Sequence, residues 1–289
     1  ARRVARTVSE SHVLLARSRR GFCSSALNPE SVSYLLDSTS QHEVYLVGTA
    51  HVSETSADEV RKVIEVAKPD HVMVELCAQR AQRLRAGHTG PSGQDIVQQL
   101  SEYLLRRNSS PGFGLECLLK LGFSGFYALF RQYGLVPGLE FKVALAEADR
   151  LSLPICYGDA DINETMSQLA AALRQMSFSR LSEAPPMPQE LEELLGEINL
   201  FKLSDSVEKL KSRSHIALFR DHMSSVMPEV MDVMVHRRDV LMAERLLHRC
   251  GRGRVVAVVG MAHMDGIERE WQKHSGQVFL HEKCSLRSK

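Results

Sequence analysis

The chain has 289 residues, of which 44% are hydrophobic and 25% are charged, a composition typical of a globular protein with one substantial core. Lys and Arg number 36 against 35 Asp and Glu, so the net charge of +1 provides no broad positive field and argues against nucleic-acid binding. The six cysteines form no CxxC pair, so we expect reduced thiols and no zinc knuckle. No apolar run approaches the roughly 18 to 20 residues that a membrane-spanning helix requires.

The first element along the chain is a basic segment, residues 1–26. It contains six arginines opposed by one acidic residue, Glu10, with serines scattered between them. This composition predicts a mitochondrial targeting segment, with a plastid targeting segment or a location on the mitochondrial outer-membrane surface as alternatives. A basic tail without a targeting role has the same composition. In each case we expect the segment to lie outside the fold.

Four short apolar runs follow and are predicted to be strands. They are continuous rather than alternating, which is typical of strands that are covered on both faces. The sequence therefore predicts an α/β fold with a mostly parallel central sheet and helices on both faces. The predicted strands are residues 44–47, 71–76, 154–158 and 255–259.

Amphipathic patterns predict helices after three of these strands. Ser53 or Thr55 could cap the first helix, and Asn163 could cap the second, because their side chains can accept hydrogen bonds from free backbone amides. An additional helix is predicted over residues 140–151, before the third strand. The helices after the strands are predicted over residues 53–67, 163–176 and 265–274.

A helical insertion or arm is predicted at about residues 183–250. The proline-rich stretch 183–190 is typical of a linker, and Pro228 is expected at the first position of a long final helix, where proline loses no hydrogen bond. The polar cluster 236–239 (His, Arg, Arg, Asp) interrupts the apolar pattern of that helix. Such a cluster is either a solvated face or a source of an arginine that reaches over a site to hold an oxyanion.

Chemically reactive side chains follow every predicted strand. The carboxyl ends of parallel strands meet at one edge of a sheet, where ligands usually bind. We therefore expect these side chains to lie near one another. They are Gly48 with His51, then Glu75, then Asp159 with Asp161, and finally Gly260 with His263.

The two GxxH motifs indicate a possible metal site. A glycine at a strand exit permits a sharp turn, including a left-handed one, which would aim the following histidine over the sheet edge. Two imidazoles, His51 and His263, with the carboxylate of Glu75 would suit zinc, manganese or cobalt and leave a position open for water. A bound water would then become a hydroxide nucleophile near neutral pH.

Structural roles for the same residues remain open. Each histidine could be a hydrogen-bonded loop residue, in which case the two rings would be too far apart to share an ion. Glu75 could cap a helix or pair with Arg80. Asp159 and Asp161 could orient a ligating histidine or serve only in turns and caps. No P-loop lysine, HExxH or GxSxG motif is present, which disfavours kinase, zincin and serine-hydrolase chemistry.

Five segments in order resemble the TraB family, which includes pheromone-shutdown proteins, eukaryotic TraB-domain-containing proteins and the Tiki proteases. The resemblance covers about residues 41–270 and predicts a TraB-like α/β domain at 41–284 that contains the insertion at about 183–250. The segments are "VYLVGTAHVS", "KPDHVMVELCAQR", "PGLEFKVALAEA", "YGDADINETM" and "VVAVVGMAHMDGI".

The resemblance implies a function. Tiki relatives are regarded as divalent-metal-dependent peptidases, so the likeness implies a peptide or protein substrate and a metal-dependent hydrolase. It implies metal ligands at His51 and His263, with Glu75 as a third ligand or as a general base. It further implies site-shaping roles for the two glycines and Asp159. Arg80 is a nearby family arginine and, with Glu75, a catalytic candidate.

Two positions depart from the family pattern. Relatives commonly carry an arginine where this chain has Ala160, and a glutamate where it has Arg237. The first change removes a fixed cation and the second reverses a charge, so the transfer of activity does not follow from the motifs alone.

A second hypothesis is a non-catalytic adaptor at a mitochondrial membrane. Its support is the segment 115–138, rich in Leu and Phe, which could lie in a bilayer interface or bind a partner groove. The alternative for that segment is a buried helical hairpin or a lid over the cleft.

Overall fold

The computed structural model describes residues 27–37, 39–49, 54–87, 138–175, 185–196 and 212–274. The basic segment 1–26, the hydrophobic stretch 115–137 and His51 lie outside the described residues. In the described part of the chain, no helix is long and apolar enough to cross a membrane.

The described residues form a mixed sheet of five strands in the spatial order β1-β2-β5-β3-β4. β1 is antiparallel to β2, and the other neighbours are parallel. This arrangement confirms the predicted mostly parallel α/β sheet. The strands are β1 Val32–Asp37, β2 His42–Thr49, β3 His71–Val74, β4 Ile155–Tyr157 and β5 Arg254–Gly260.

β1 is a strand that the sequence analysis did not find. Most residues of β1 are only partly buried, and the strand has no continuous apolar run like those of the central strands. A tight turn joins it to β2: Asp37 accepts hydrogen bonds from the backbone amide of Thr39 and the hydroxyl of Ser40, and Gln41 adopts a left-handed φ of 57°. The hairpin supplies the antiparallel edge of an otherwise parallel sheet.

The helices lie between and after the strands. Before β4 they are α1 Glu54–Ala67, α2 Ala78–Arg85 and α3 Leu139–Arg150, and after β4 they are α4 Ile162–Gln175, α5 Gln189–Gly196 and α6 Arg213–Val226. The last part of the chain contains α7 Pro228–Met231, a π-helical turn Asp232–His236, α8 Arg237–His248 and α9 Met261–His274.

Two apolar cores cover opposite faces of the sheet. Alternate residues of a strand point to opposite faces. Accordingly, Val256 and Val258 of β5 belong to the core formed with α1, α2 and α3. Ala257 and Val259 of the same strand belong to the core formed with α8 and α9. The helices on both faces explain why the central strands have no polar alternation.

Part of the predicted arm belongs to the main core. Met242 and Leu246 of α8 are fully buried in the second core, and α8 packs along α9. Pro228 occupies the start of α7, as predicted, and the helical path continues through the π turn into α8. A π turn contains an extra residue and changes the phase of the helix that follows. Within the described residues, 237–250 thus form a layer of the fold rather than a separate arm.

The predicted cap of α4 is wrong. The carboxylate of Asp161, not the side chain of Asn163, accepts hydrogen bonds from the free amides: Oδ1 lies 2.8 Å from the nitrogen of Asn163 and 3.4 Å from that of Glu164. The helix begins at Ile162, directly after the aspartate. Asp161 therefore serves as the cap of α4, one of the two roles that were predicted for it.

Candidate active site

The carboxyl edge of the sheet collects most of the predicted site residues. Thr49 at the end of β2 pairs with Gly260 at the end of β5, and Val74 at the end of β3 pairs with Val258 of β5 and Tyr157 of β4. Residues that follow these strand ends therefore lie at the same edge of the sheet. They include Glu75, Asp159 and His263, whereas His51 lies outside the described residues.

Glu75 is buried between two strands and two helices. Its Oε2 accepts a hydrogen bond of 2.6 Å from the backbone amide of Gly260, and its Oε1 lies 3.2 Å from Nε2 of His263. The same Oε1 contacts the guanidinium of Arg238. Gly260 thus contributes to the site through its backbone amide, which orients the carboxylate.

His263 lies in the first turn of α9 with both ring nitrogens facing carboxylates. Nδ1 is 2.7 Å from Oδ1 of Asp239, and Nε2 faces Glu75. Complete burial disfavours the charged ring, but the charge of Glu75 and the hydrogen bonds to both carboxylates outweigh it and raise the pKa of His263 to about 9. At neutral pH the ring is therefore an imidazolium that donates from Nδ1 to Asp239 and forms an ion pair with Glu75 through Nε2.

Arg238 reaches the site from α8, as one of the two interpretations of the polar cluster predicted. Its Nε and Nη2 lie 2.8 Å and 3.1 Å from the two carboxylate oxygens of Asp159, and Nη2 also contacts Glu75. Burial disfavours its charge, yet the two carboxylates raise the pKa of Arg238 above its ordinary value. Arg237, in contrast, is mostly exposed and pairs with Asp232, so only this part of the cluster is a solvated face.

Arg220 of α6 is a site residue that the sequence analysis missed. Its Nη2 donates to Oδ2 of Asp239 at 3.0 Å, its Nη1 contacts the carbonyl of Ala262, and the side chain is buried. Asp239 is therefore held by one arginine while it holds His263. The spacing along the chain gave no signal for this contact, because the two residues lie on different helices and nothing in α6 marks Arg220 as buried.

Arg80 and Asp159 form the outer part of the same network. Nη1 of Arg80 donates to Oδ2 of Asp159 at 2.9 Å, and the Arg80 side chain is 29% exposed. In the described contacts, Arg80 thus pairs with Asp159 rather than with Glu75. Asp159 bridges Arg80 and Arg238, and its backbone carbonyl also accepts a hydrogen bond from Arg245 at 2.7 Å.

Gly48 shapes the site by a different means from the one predicted. Both Gly48 and Gly260 lie within strands, and neither has a positive φ, so the left-handed turn is not observed. A Cβ on Gly48 would overlap the sulfur atoms of Met264 and Met261. The glycine therefore permits α9 to pack closely on β2.

A further acid, Glu140, lies at the same edge. It stands in the first turn of α3 and is fully buried, and the hydroxyl of Thr49 lies 3.5 Å from its Oε1. Thr49 also donates to the carbonyl of Val259 at 3.2 Å. The sequence analysis placed Glu140 at the start of an amphipathic helix and gave it no role at the sheet edge.

The site is thus a buried chain of alternating charges from α6 to α2. Such an arrangement lets each charge compensate its neighbours where burial reduces their hydration. Among the described residues, no cluster of three or more His, Cys, Asp or Glu side chains could hold a metal ion. The members, in order of contact, are Arg220, Asp239, His263, Glu75, Arg238, Asp159 and Arg80.

Comparison with known proteins supports the resemblance seen in the sequence. The model of the TraB/PrgY/gumN family matches residues 36–109 and 163–275. The human TraB domain-containing protein is 31% identical over 249 residues, which are 79% of this chain and 62% of the relative. An uncharacterized protein of Methanocaldococcus jannaschii is 30% identical over 244 residues, 80% of this chain and 54% of the relative. The chain therefore spans between half and two thirds of the length of these relatives.

Proposed function

The chain belongs to the TraB/PrgY/gumN family, and from the geometry of its buried site we propose that it is a divalent-metal-dependent hydrolase of peptide or protein substrates. The observation that carries this proposal is the series Asp239, His263 and Glu75 at the carboxyl edge of the sheet, in which Nδ1 of His263 is hydrogen-bonded to Asp239 and Nε2 lies 3.2 Å from Glu75. It couples an oriented imidazole to a carboxylate at the place where α/β proteins usually bind ligands.

The donor atoms fit a divalent ion in their chemical type. Nε2 of His263 and Oε1 of Glu75 are 3.2 Å apart, close enough for both to bind one ion, and Asp239 holds Nδ1 in the manner typical of ligating histidines. A catalytic zinc ion ordinarily has three protein ligands. We propose His51 as the third, on the basis of the family resemblance. When bound, zinc, manganese or cobalt would supply Lewis-acid polarisation and an activated water.

The residues of the chain itself then have distinct tasks. Asp239 fixes the ring of His263 so that Nε2 faces Glu75, and the amide of Gly260 fixes the Glu75 carboxylate. Glu75 can serve as a ligand or accept a proton from the nucleophile. Arg238 places a permanent positive charge beside Glu75, where it can stabilise an oxyanion. Because ligation needs a neutral imidazole, His263 would have to lose its proton before Nε2 could hold an ion.

A non-catalytic role is the second candidate, and one observation favours it. Both ring nitrogens of His263 already face protein carboxylates, and Arg238 contacts the same Glu75 oxygen, so the network is internally compensated. In that case the protein would act as a TraB-domain adaptor at a mitochondrial membrane. The segment 115–137, on which membrane contact was predicted, lies outside the described residues.

Metal binding separates the two candidates. The full chain, stripped with EDTA, is titrated with Zn²⁺, Mn²⁺ and Co²⁺ in a calorimeter, and bound metal is quantified by mass spectrometry. We expect one site in the wild type and in His248→Gln, whose histidine is exposed. Binding should disappear in His263→Gln and weaken about 10- to 100-fold in Asp239→Asn. Loss of binding in Glu75→Gln would assign that carboxylate as a ligand, and retained binding would assign it as the general base. A wild type that binds none of the three ions above the level of His263→Gln would exclude the hydrolase proposal.

The mitochondrial location is likewise a proposal, supported by the arginine-rich composition of residues 1–26. It is tested by expressing the chain with a carboxyl-terminal fluorescent protein, beside a variant in which the six arginines of this segment are replaced by glutamine. Mitochondrial fluorescence in the first and diffuse fluorescence in the second are expected. Fluorescence in plastids, or an unchanged pattern in the variant, would contradict the proposal.

A further inference from the structure

One arginine of the candidate site uses only part of its guanidinium group. Arg80 donates through Nη1 to Oδ2 of Asp159 at 2.9 Å, and its side chain is 29% exposed. Among the described residues, no acceptor lies within hydrogen-bond distance of its Nε or Nη2. The first turn of α2, to which Arg80 belongs, contains no acidic residue that could occupy these nitrogens. The edge formed by Nε and Nη2 is therefore open at the outer end of the site.

The other two arginines of the charge series are already engaged. Arg238 donates from Nε, Nη1 and Nη2 within the protein, and its side chain is only 13% exposed. Arg220, at the buried end of the series, donates to Asp239 and to a backbone carbonyl. Arg238 also binds both carboxylate oxygens of Asp159, so the charge of this acid is compensated without Arg80. Of these three arginines, Arg80 is therefore the one that can receive a further anion.

The open edge of Arg80 is the edge that binds carboxylates elsewhere in this protein. Arg85, on the same helix, donates from Nε and Nη2 to the two oxygens of Asp149, at 3.2 Å and 2.8 Å. Arg238 binds Asp159 through the same two nitrogens, at 2.8 Å and 3.1 Å. The planar guanidinium matches the spacing of two carboxylate oxygens, whereas the ammonium group of a lysine does not. The free edge of Arg80 thus fits a carboxylate.

We propose that Arg80 binds a carboxylate of the peptide substrate through Nε and Nη2, while Asp159 holds the guanidinium through Nη1. The assignment rests on the proposed hydrolase function and names a substrate class for the same site, namely peptides with a carboxylate near the bond to be cleaved. That carboxylate belongs either to the carboxyl terminus of the peptide or to an acidic side chain. Arg80 is then a residue that determines specificity.

The distance between Arg80 and Glu75 limits where the carboxylate can lie in the substrate. Oδ2 of Asp159 lies 2.9 Å from Nη1 of Arg80 and 3.1 Å from Nη2 of Arg238, which contacts Oε1 of Glu75. Three successive contacts of hydrogen-bond length span at most about 10 Å. Because an extended peptide covers roughly 3.3 to 3.6 Å per residue, the carboxylate would lie about one to three residues from a bond held at Glu75. Tripeptides are therefore long enough to serve as probes.

Peptide binding to the metal-free protein tests the proposal. The full chain, stripped with EDTA, is titrated into three dansyl-labelled tripeptides, and binding is measured by fluorescence anisotropy. The probes are dansyl-Ala-Ala-Ala with a free carboxylate, its carboxamide, and dansyl-Ala-Glu-Ala carboxamide, in which the side chain carries the single carboxylate. We expect the first or the third probe to bind about 10- to 100-fold more tightly than the second, and the preferred probe identifies the source of the carboxylate. Equal affinity for all three probes, or no binding of any of them, would overturn the proposal.

Substitutions at two arginines of α2 test whether Arg80 is responsible. Arg80→Gln should remove the preference for a carboxylate. Arg80→Lys retains the charge but loses the planar edge, so the preference should fall about 10-fold or more. Arg83→Gln is the matched control, because Arg83 is exposed on the same helix and its replacement removes the same charge. This control should retain the wild-type preference. An undiminished preference in either Arg80 variant, or an equal loss in Arg83→Gln, would contradict the assignment.

Nuclear magnetic resonance can observe the open edge directly. In protein labelled with ¹⁵N-arginine, the Nε–H signal of Arg80 is identified by its absence from Arg80→Lys. The preferred probe should shift this signal, because Nε donates to the carboxylate in the complex. The Nε–H signal of Arg85, whose edge is already filled by Asp149, should stay in place. A shift of the Arg85 signal without a shift of the Arg80 signal would also overturn the proposal.

The outcome for Arg80 can be separated from the outcome for the hydrolase proposal, because the peptide measurements contain no metal. A protein that prefers the carboxylate probes but binds no divalent ion would retain the Arg80 site, as a site for a ligand that is not cleaved, and would lose the hydrolase function. A protein that binds an ion but does not distinguish the probes would lose only the Arg80 site.

Discussion

Oδ1 of Asp239 lies 2.7 Å from Nδ1 of His263, and both side chains are buried. The aspartate comes from α8 and the histidine from α9, so the packing of two helices sets the orientation of the ring. Arg220 holds the second carboxylate oxygen of Asp239 at 3.0 Å from a third helix, α6. The position of Nε2, and therefore its distance from Glu75, depends on contacts between elements that are far apart in the sequence.

The first prediction concerns the charge of Asp239. Asp239→Asn retains the size of the side chain and removes the negative charge that stabilises the His263 imidazolium. We expect the pKa of His263 to fall by about 1 unit or more, because an opposite charge at this distance has an effect of that size. Nuclear magnetic resonance titration of the ring nitrogens measures the shift. Asp232→Asn, which changes a half-exposed acid in the preceding π turn, should leave the His263 titration unchanged.

The second prediction concerns Arg220. Arg220→Met retains much of the apolar stem but leaves the buried Asp239 without its arginine, so unfolding should become easier by about 3 to 5 kcal/mol. Urea unfolding followed by circular dichroism measures the loss. Arg237→Met, which removes an exposed arginine from its pair with Asp232, should cost less than about 1 kcal/mol. Equal effects of the two substitutions would show that the buried contact does not hold the site.

The third prediction concerns Gly266 in α9. A Cβ at this position would overlap the carboxylate of Asp239, which Arg220 and His263 hold on its other sides. Alanine favours a helix over glycine by about 1 kcal/mol, but we expect Gly266→Ala to destabilise the protein by about 1 to 3 kcal/mol, the usual cost of overpacking. Urea midpoints measure the change. Gln272→Ala, on the exposed side of the same helix, should be neutral or slightly stabilising.

The central strands and their residues at the sheet edge could be predicted from the sequence because their signals are local. β2, β3 and β5 are apolar runs, and the chemically reactive residues follow them directly. β1 could not be found in the same way, since an edge strand in a hairpin needs no continuous apolar run. The clearest sign of β1 in the sequence is the pair Asp37 and Ser40, whose side chains favour the turn that precedes β2.

The site itself was only partly predictable. Glu75 and His263 were nominated by their position after strands, and their proximity follows from the parallel register. Arg220 and the role of Asp239 depend on how α6, α8 and α9 pack, which no spacing along one helix encodes. The explanation offered for Gly48 failed for a similar reason. The residue was interpreted as a local turn signal, although its function is to accommodate side chains from α9.

The last prediction concerns pH and the charge of His263. The ordinary pKa of histidine is 6.5, and in the folded protein the pKa of His263 rises to about 9. A raised pKa means that the folded state binds the proton more tightly, so the resulting stabilisation is fully present below pH 6.5 and is lost as the pH rises through about 9. The free energy of unfolding should therefore fall across this window, by an amount on the order of 3 kcal/mol. Urea unfolding at several pH values, with EDTA present so that no ion competes for Nε2, measures this slope.

The histidine responsible can be identified by comparing two variants in the same experiment. His263→Gln should be less stable than the wild type at pH 6.5, because Asp239 and Glu75 lose a cationic partner, and the fall in stability toward pH 9 should be reduced. His248→Gln removes an exposed histidine from the end of α8 and should retain the wild-type slope. The difference between wild type and His263→Gln cancels the contribution of thiols that ionise in the same window. A parallel pH dependence in those two proteins would mean that His263 is neutral in the folded state, and the ring could then donate from only one nitrogen, to Asp239 or to Glu75.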